Sequence, residues 1–288
     1  MTFSIVAYDP AEESWGVGVA SKFLGVGGVV NWAQAGAGAV ATQAFCKVSF
    51  GIEGLALMAQ GKSAKDTLEA LLNNDPKREH RQVGVVDRNG TTAAHTGKDC
   101  YDWAGHIVGE GFSCQGNILA GQQVVAAMAD AYKAAKGELS DRLVAALLAG
   151  DDAGGDRRGK QGAGVLVVKA GGGYGGDTDR YLDARIDDDP EPVKRLQKLV
   201  KDHHLFFGRP HPEDLTPITP AIAGEIQHWL QAKGYLKHAV TGTWDTTSKD
   251  AFWAMVGSEN LEERWNLEGN TDLIDQIALD YLRERFGN

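Results

Sequence analysis

From Thr2 to Asp9 (TFSIVAYD) apolar and polar positions alternate among β-branched and aromatic residues. After a turn at Pro10–Glu13 the run Ser14–Ser21 (SWGVGVAS) continues the pattern, which predicts a hairpin. Ala37–Phe45 (AGAVATQAF) reads as a third strand. The period then changes, and Gly51–Asp75 predicts two helical stretches, with Ser63 placed to cap the second. Arg81–Gly97 is β-rich on both sides of Asn89-Gly90, a pair that favours a type I′ hairpin turn. Asn117–Gly150 predicts two more helices, the second opening at Ser140-Asp141. Ala163–Ala170 and Arg180–Asp187 predict a last hairpin around the loop GGGYGG. The order β-β-β, α-α, β-β, α-α, β-β points to an α+β fold of antiparallel sheets with helices layered outside them.

That pattern ends at DDDPEP (Asp187–Pro192), and six of the eight prolines lie between Pro190 and Pro220. Val193, Leu196, Leu199 and Val200 recur at helical spacing within this stretch. The chain therefore divides into a first domain over residues 1–188, a linker with a short helix over 189–220, and a mainly helical domain over 221–288. Thirty of the 37 glycines fall before residue 189, so close strand packing and tight turns belong to the first domain alone.

Composition removes several classes of function. The formal net charge is −10 and no Lys/Arg block interrupts it, which argues against nucleic acid or an anionic membrane as partner. No apolar run reaches the roughly 18 residues of a membrane span, and MTFSIVAYDP lacks the basic and apolar regions of a signal peptide. Cys46, Cys100 and Cys114 are too few for a disulfide framework, so a reducing, cytoplasmic setting is expected. The histidines form no metal set, and neither metal nor cofactor is expected. Gly36–Ala41 matches GxGxxA loosely, but it precedes a strand where a dinucleotide loop would open a helix. GGGYGG has no GK[ST] ending, and no GxSxG elbow is present.

The chemistry left over sits at the start of the chain. Thr2 follows Met1, and its small side chain permits methionine removal. A terminal threonine supplies a nucleophilic hydroxyl and, in its α-amine, a base with a pKa of about 7.7–8.0. Against this stands a plain β-branched residue beginning a strand. Ser4, on the same strand face, is a weaker candidate because no amine is attached to it.

The segment TFSIVAYDPAEESWGVGVASKFLGVGGVVNWAQAGAGAVATQ resembles the start of an N-terminal nucleophile hydrolase, the class that includes proteasome subunits. With DWAGHIVGEGFSCQGNILAG (Asp102–Gly121) and AGGDRRGKQGAGVLVV (Ala153–Val168), it resembles more closely the bacterial family called domain of unknown function 1028. The resemblance implies a four-layer α/β/β/α sandwich, a homodimer, and amide hydrolysis with Thr2 as nucleophile and Lys22 as the lysine that assists it. Ser21, Gln43, His95, Gln115, Asn117, Asp156 and Arg158 are the implied substrate and oxyanion residues. Gly162 stands where the family pattern leads one to expect serine. A non-catalytic binding protein on the same scaffold is the alternative. Ile222–Gly257 is similar to a peptidoglycan-binding-like domain, which implies a groove where Tyr235 or Trp244 stacks on a glycan or cell-wall fragment. The expected partner of the first domain is a small amide or peptide-like substrate.

Overall fold

A computed structural model describes residues 2–208 and 210–287. The chain separates into two compact units, the first ending at Val200 and the second beginning at Lys201.

The first unit opens with β1 (Thr2–Asp9) and β2 (Ser14–Ser21), then α1 (Gly27–Val30), β3 (Asn31–Gln34) and β4 (Gly38–Ala44). Helices α2 (Ser49–Ala59) and α3 (Ala64–Asn73) lead to β5 (Arg81–Asp87), β6 (Thr92–Thr96), β7 (Gly105–Gly109) and β8 (Phe112–Asn117). Helices α4 (Gln122–Ala134) and α5 (Leu139–Asp152) precede β9 (Gly162–Val168) and β10 (Arg180–Ile186), and α6 (Pro192–Phe207) begins in this unit and continues past Val200. Six strands form one antiparallel sheet in the order β10-β9-β2-β1-β8-β7, and four form a second in the order β3-β4-β5-β6.

The period-two alternation decides what each sheet face buries. Phe3, Ile5 and Ala7 of β1 pack with Val124, Met128, Leu143 and Leu147 of α4 and α5, and the start of α6 adds Val193, Leu196 and Val200. The alternate residues Val6, Val17, Val19 and Leu166 meet Ala39, Ala41 and Val86 of the second sheet. On that sheet's other face Val40, Val83 and Val85 pack with Phe50 and Met58 of α2 and Leu68 and Leu71 of α3. Gly16 of β2 lets α5 approach closely, since a Cβ there would lie 2.6 Å from Leu143 Cδ1.

Three local expectations change, the first being that the helix read from Asn117 starts only at Gln122, because Asn117 is the last residue of β8. Thr91 pairs back to Asp87 (Asp87 N–H to Thr91 O, 2.9 Å), and of the predicted pair only Gly90 has positive φ (+78°). The turn is therefore a three-residue loop closing on a left-handed glycine rather than type I′. The Asp87 carboxylate stabilises it by accepting the N–H groups of Asn89 and Thr91. Ser63 does cap α3, accepting the Asp66 N–H at 3.1 Å. Helix α5, however, begins before Ser140, because Asp141 reaches back to the Glu138 N–H at 3.2 Å.

In the second unit β11 (Leu215–Pro217) pairs with β12 (Leu273–Asp275) beside α7 (Pro220–Ala232), α8 (Thr246–Glu259) and α9 (Gln276–Phe286). Ile226, Leu230, Phe252, Met255, Trp265 and Leu279 form its core. The buried pair Arg264–Asp275, at 2.6 Å, ties the loop after α8 to β12.

Candidate functional site

At one end of the first unit the inward faces of both sheets turn polar. Thr2 begins β1, and the Phe3–Ala20 pairing sets it opposite Ser21 at the end of β2. The two hydroxyl oxygens lie 3.1 Å apart, at 6% and 2% exposure. On the other side of β1, strand β8 sets Asn117 opposite Thr2 and Gln115 opposite Ser4. The facing sheet contributes Gln43 of β4 and Gln82 of β5, themselves a register pair.

Carboxamides bind this cluster together. Gln82 Oε1 accepts from Gln43 Nε2 at 2.8 Å and from Asn117 Nδ2 at 2.9 Å. Gln43 Nε2 also faces the carbonyl oxygens of Thr2 and Gln115, each at 3.4 Å. Gln115 Nε2 donates to Ser4 Oγ at 2.7 Å, and its Oε1 accepts from the Ser113 hydroxyl at 2.9 Å. That amide lies directly over Gly84 of β5, where a Cβ would sit 2.3 Å from Gln115 Oε1. Gln82 Nε2 donates to Gly116 O at 2.7 Å and to Thr96 Oγ1 at 2.9 Å, and Thr96 Oγ1 in turn meets His106 Nδ1 at 2.9 Å. Desolvation, followed by the field of His95, holds the His106 imidazole below its usual pKa.

The expected site residues separate into groups. Thr2, Ser21, Gln43, Gln115 and Asn117 converge. Lys22 does not join them: its side chain is exposed and its ammonium donates to Lys160 O at 3.3 Å, while its backbone N–H donates to Asp156 Oδ2 at 2.7 Å. Asp156 is thus a bracket on the residue after Ser21. Its carboxylate also takes the Arg158 N–H at 2.9 Å and the Arg158 guanidinium at 3.2 Å. His95 pairs with Val83, so it lies on the opposite sheet face from Gln82 and bonds Arg78 O at 3.0 Å. The strongest member absent from the sequence reading is Gln82. Its signal is a glutamine in phase with Gly84 and Val86 on the inner face of the strand RQVGVVD.

Among the described residues no group of three His, Cys, Asp or Glu could hold a metal ion. Burial pushes the Cys46, Cys100 and Cys114 thiols up, so none is a ready thiolate near neutral pH. Hydroxyls and amides are what this cluster offers to chemistry.

In the second unit Tyr235, 36% exposed, lines a cavity of about 300 Å³ with Lys233, Met255, Glu259, Arg285 and Phe286. Trp244 is engaged elsewhere. Its indole N–H donates to Thr271 O at 2.8 Å, and its ring packs on Phe252 and Trp265. No helix among the described residues is long and apolar enough to cross a membrane.

Residues 2–196 match the model of a family described as "Family of unknown function (DUF1028)", and residues 206–282 match one described as "Putative peptidoglycan binding domain". The crystal structure of protein SPO2555 from Silicibacter pomeroyi, assigned to the DUF1028 model, is 31% identical. The match covers 70% of this chain and 89% of that one, with a TM-score of 0.64. Anbu (ancestral beta-subunit) from Yersinia bercovieri aligns over 69% of this chain and 93% of its own at 10% identity, with a TM-score of 0.31, too low to bear on the fold. No curated protein matches the chain.

Proposed function

The chain belongs to the DUF1028 family, and on that premise we propose that its first unit is an N-terminal threonine amidohydrolase acting on a small amide or peptide-like substrate. The fold we assign to it is the four-layer α/β/β/α sandwich of N-terminal nucleophile hydrolases. In its support, one sheet packs α4 and α5, the other packs α2 and α3, and their remaining faces meet.

The observation that carries the activity is the Thr2–Ser21 hydroxyl pair within a buried set of neutral amides. With Met1 removed, the α-amine takes the Thr2 hydroxyl proton while Oγ1 attacks the substrate carbonyl. We assign the oxyanion to the Asn117 amide, a role supported by its register position opposite Thr2. The amine then protonates the leaving nitrogen, and water hydrolyses the acyl-threonine. No lysine is assigned a part, because the Lys22 ammonium is held at Lys160 O.

Intact mass of natively expressed protein and labelling by an electrophilic amide probe test this reading. Loss of Met1, with labelling of Thr2 that disappears in Thr2→Ala, is expected. A mass that retains Met1 sinks the mechanism.

A second role belongs to the second unit. The cavity beside Tyr235 and the match to a peptidoglycan-binding model support capture of a glycan or cell-wall fragment there.

A further inference from the structure

The carboxamide of Gln43 is 1% exposed, and its Oε1 accepts no hydrogen bond among the described residues. Its Nε2, by contrast, faces three acceptors: Gln82 Oε1 at 2.8 Å, and the carbonyl oxygens of Thr2 and Gln115 at 3.4 Å. Those three oxygens decide which way round the amide lies, since exchanging N and O would set Oε1 against all of them. A buried acceptor without a donor is unfavourable, so an atom of this kind beside a candidate nucleophile calls for a reason. The main chains that Gln43 lies against are those of Thr2 and Gln115, each met through its carbonyl oxygen.

We propose that Gln43 is the positioning residue of the Thr2 α-amine. Once Met1 is removed, Oε1 accepts one amine N–H and turns the nitrogen lone pair toward the Thr2 hydroxyl. This rests on the reading of Thr2 as a terminal nucleophile. The lone pair takes the hydroxyl proton as the Oγ1–C bond forms and the carbonyl π electrons move onto oxygen. The same proton passes to the leaving nitrogen as the C–N bond breaks. Gln43 exchanges no proton and forms no bond to substrate. Every side chain that hydrogen-bonds Gln43, Gln82, Gln115 or Asn117 is neutral. Beyond that shell lie His106, which meets Thr96, and the Asp156–Arg158 ion pair, whose carboxylate takes the Lys22 N–H next to Ser21. Within this inner shell Gln43 Oε1 is the dipole with unused capacity.

The test is a pulse of acetic anhydride on the full chain across about pH 5–10, with mass spectrometry of the N-terminal peptide giving the α-amine pKa. Gln43→Glu is expected to raise that pKa by about one unit or more, a tenfold change in proton affinity, over the part of the range where its carboxyl is ionised. Its second oxygen meets the three acceptors that Nε2 now faces and holds the proton at the acid end. Gln43→Met keeps the length, removes the acceptor and is expected to lower it. A packing role would not make the shift follow the charge at position 43. If Met1 is absent and both folded variants stay within about 0.2 units of the parent, the assignment of Gln43 is overturned while the Thr2 reading stands. If Met1 is retained, both fall. Should Gln43→Glu not fold, Gln43→Met decides alone.

Discussion

Gly84 shows how one missing methyl group holds the polar cluster in register. The Gln115 amide occupies the space a Cβ would need, with its Oε1, Cδ and Nε2 at 2.3, 2.6 and 2.7 Å from that point. Gly84→Ala would push the amide off Ser4 Oγ and Ser113 Oγ, leaving buried polar atoms without partners. Overpacking together with lost hydrogen bonds predicts a destabilisation of roughly 1–3 kcal/mol, read from urea unfolding midpoints. Because the collision is with one side chain, Gly84→Ala and Gln115→Ala should combine less than additively. Additive losses would show that the two sites act independently. The same scale explains Lys22. A lysine one residue beyond a strand's last inward position points away from the inward face, and Asp156 fixes its backbone in that phase.

Between elements, a buried ion pair joins the end of α3 to the start of β5. Arg81 Nε donates to Asp75 Oδ2 at 2.7 Å, and the two side chains are 8% and 4% exposed. The Arg81 guanidinium holds the Asp75 carboxyl below its usual range. The unfolded chain therefore takes up this proton first, at about pH 3.9. The stabilisation is present above that value and is lost as pH falls through the lower folded pKa. Asp75→Asn should cost roughly 1–3 kcal/mol near neutral pH, with the gap from the parent closing below about pH 4. Denaturant unfolding of both proteins from acid to neutral pH measures it, and a constant gap would contradict the assignment. Elements with clean periods were legible in the sequence: β1, β2, β4, the β5–β6 and β9–β10 hairpins, and the helix pairs. Strands β7 and β8 were not, because His106–Asn117 mixes glycines with an inner face of Ser113, Gln115 and Asn117 that mimics a loop. Strand β3 is only four residues long and follows a one-turn helix, too short for a period to emerge. Thr2, Ser21, Gln43, Gln115 and Asn117 could be named from family-like stretches, whereas Gln82 needed the sheet register to bring it across from the other sheet.

At the scale of the whole molecule the cores are separate clusters. One set is drawn from β1–β10 and the helices up to Val200, and the other from Leu205 onward. Phe252 is central to the second set, 1% exposed and in edge contact with Trp244 and Trp265. Its truncation removes a ring from a core that contains no residue of the Thr2 cluster. Phe252→Ala is therefore expected to lower the stability of the second unit by about 3–5 kcal/mol. Calorimetry should then show an early transition for residues 201–288, with the transition of the first unit and labelling at Thr2 unchanged. A single transition that moves as a whole would mean that the two units unfold as one cooperative body, and labelling lost at temperatures where the first unit stays folded would mean that the Thr2 site depends on the second. The distinction bears on function as well as stability. If the first unit keeps its reactivity while the second is molten, the chemistry proposed for Thr2 resides wholly in the unit that ends at Val200, and any ligand captured by the second unit is not needed for it.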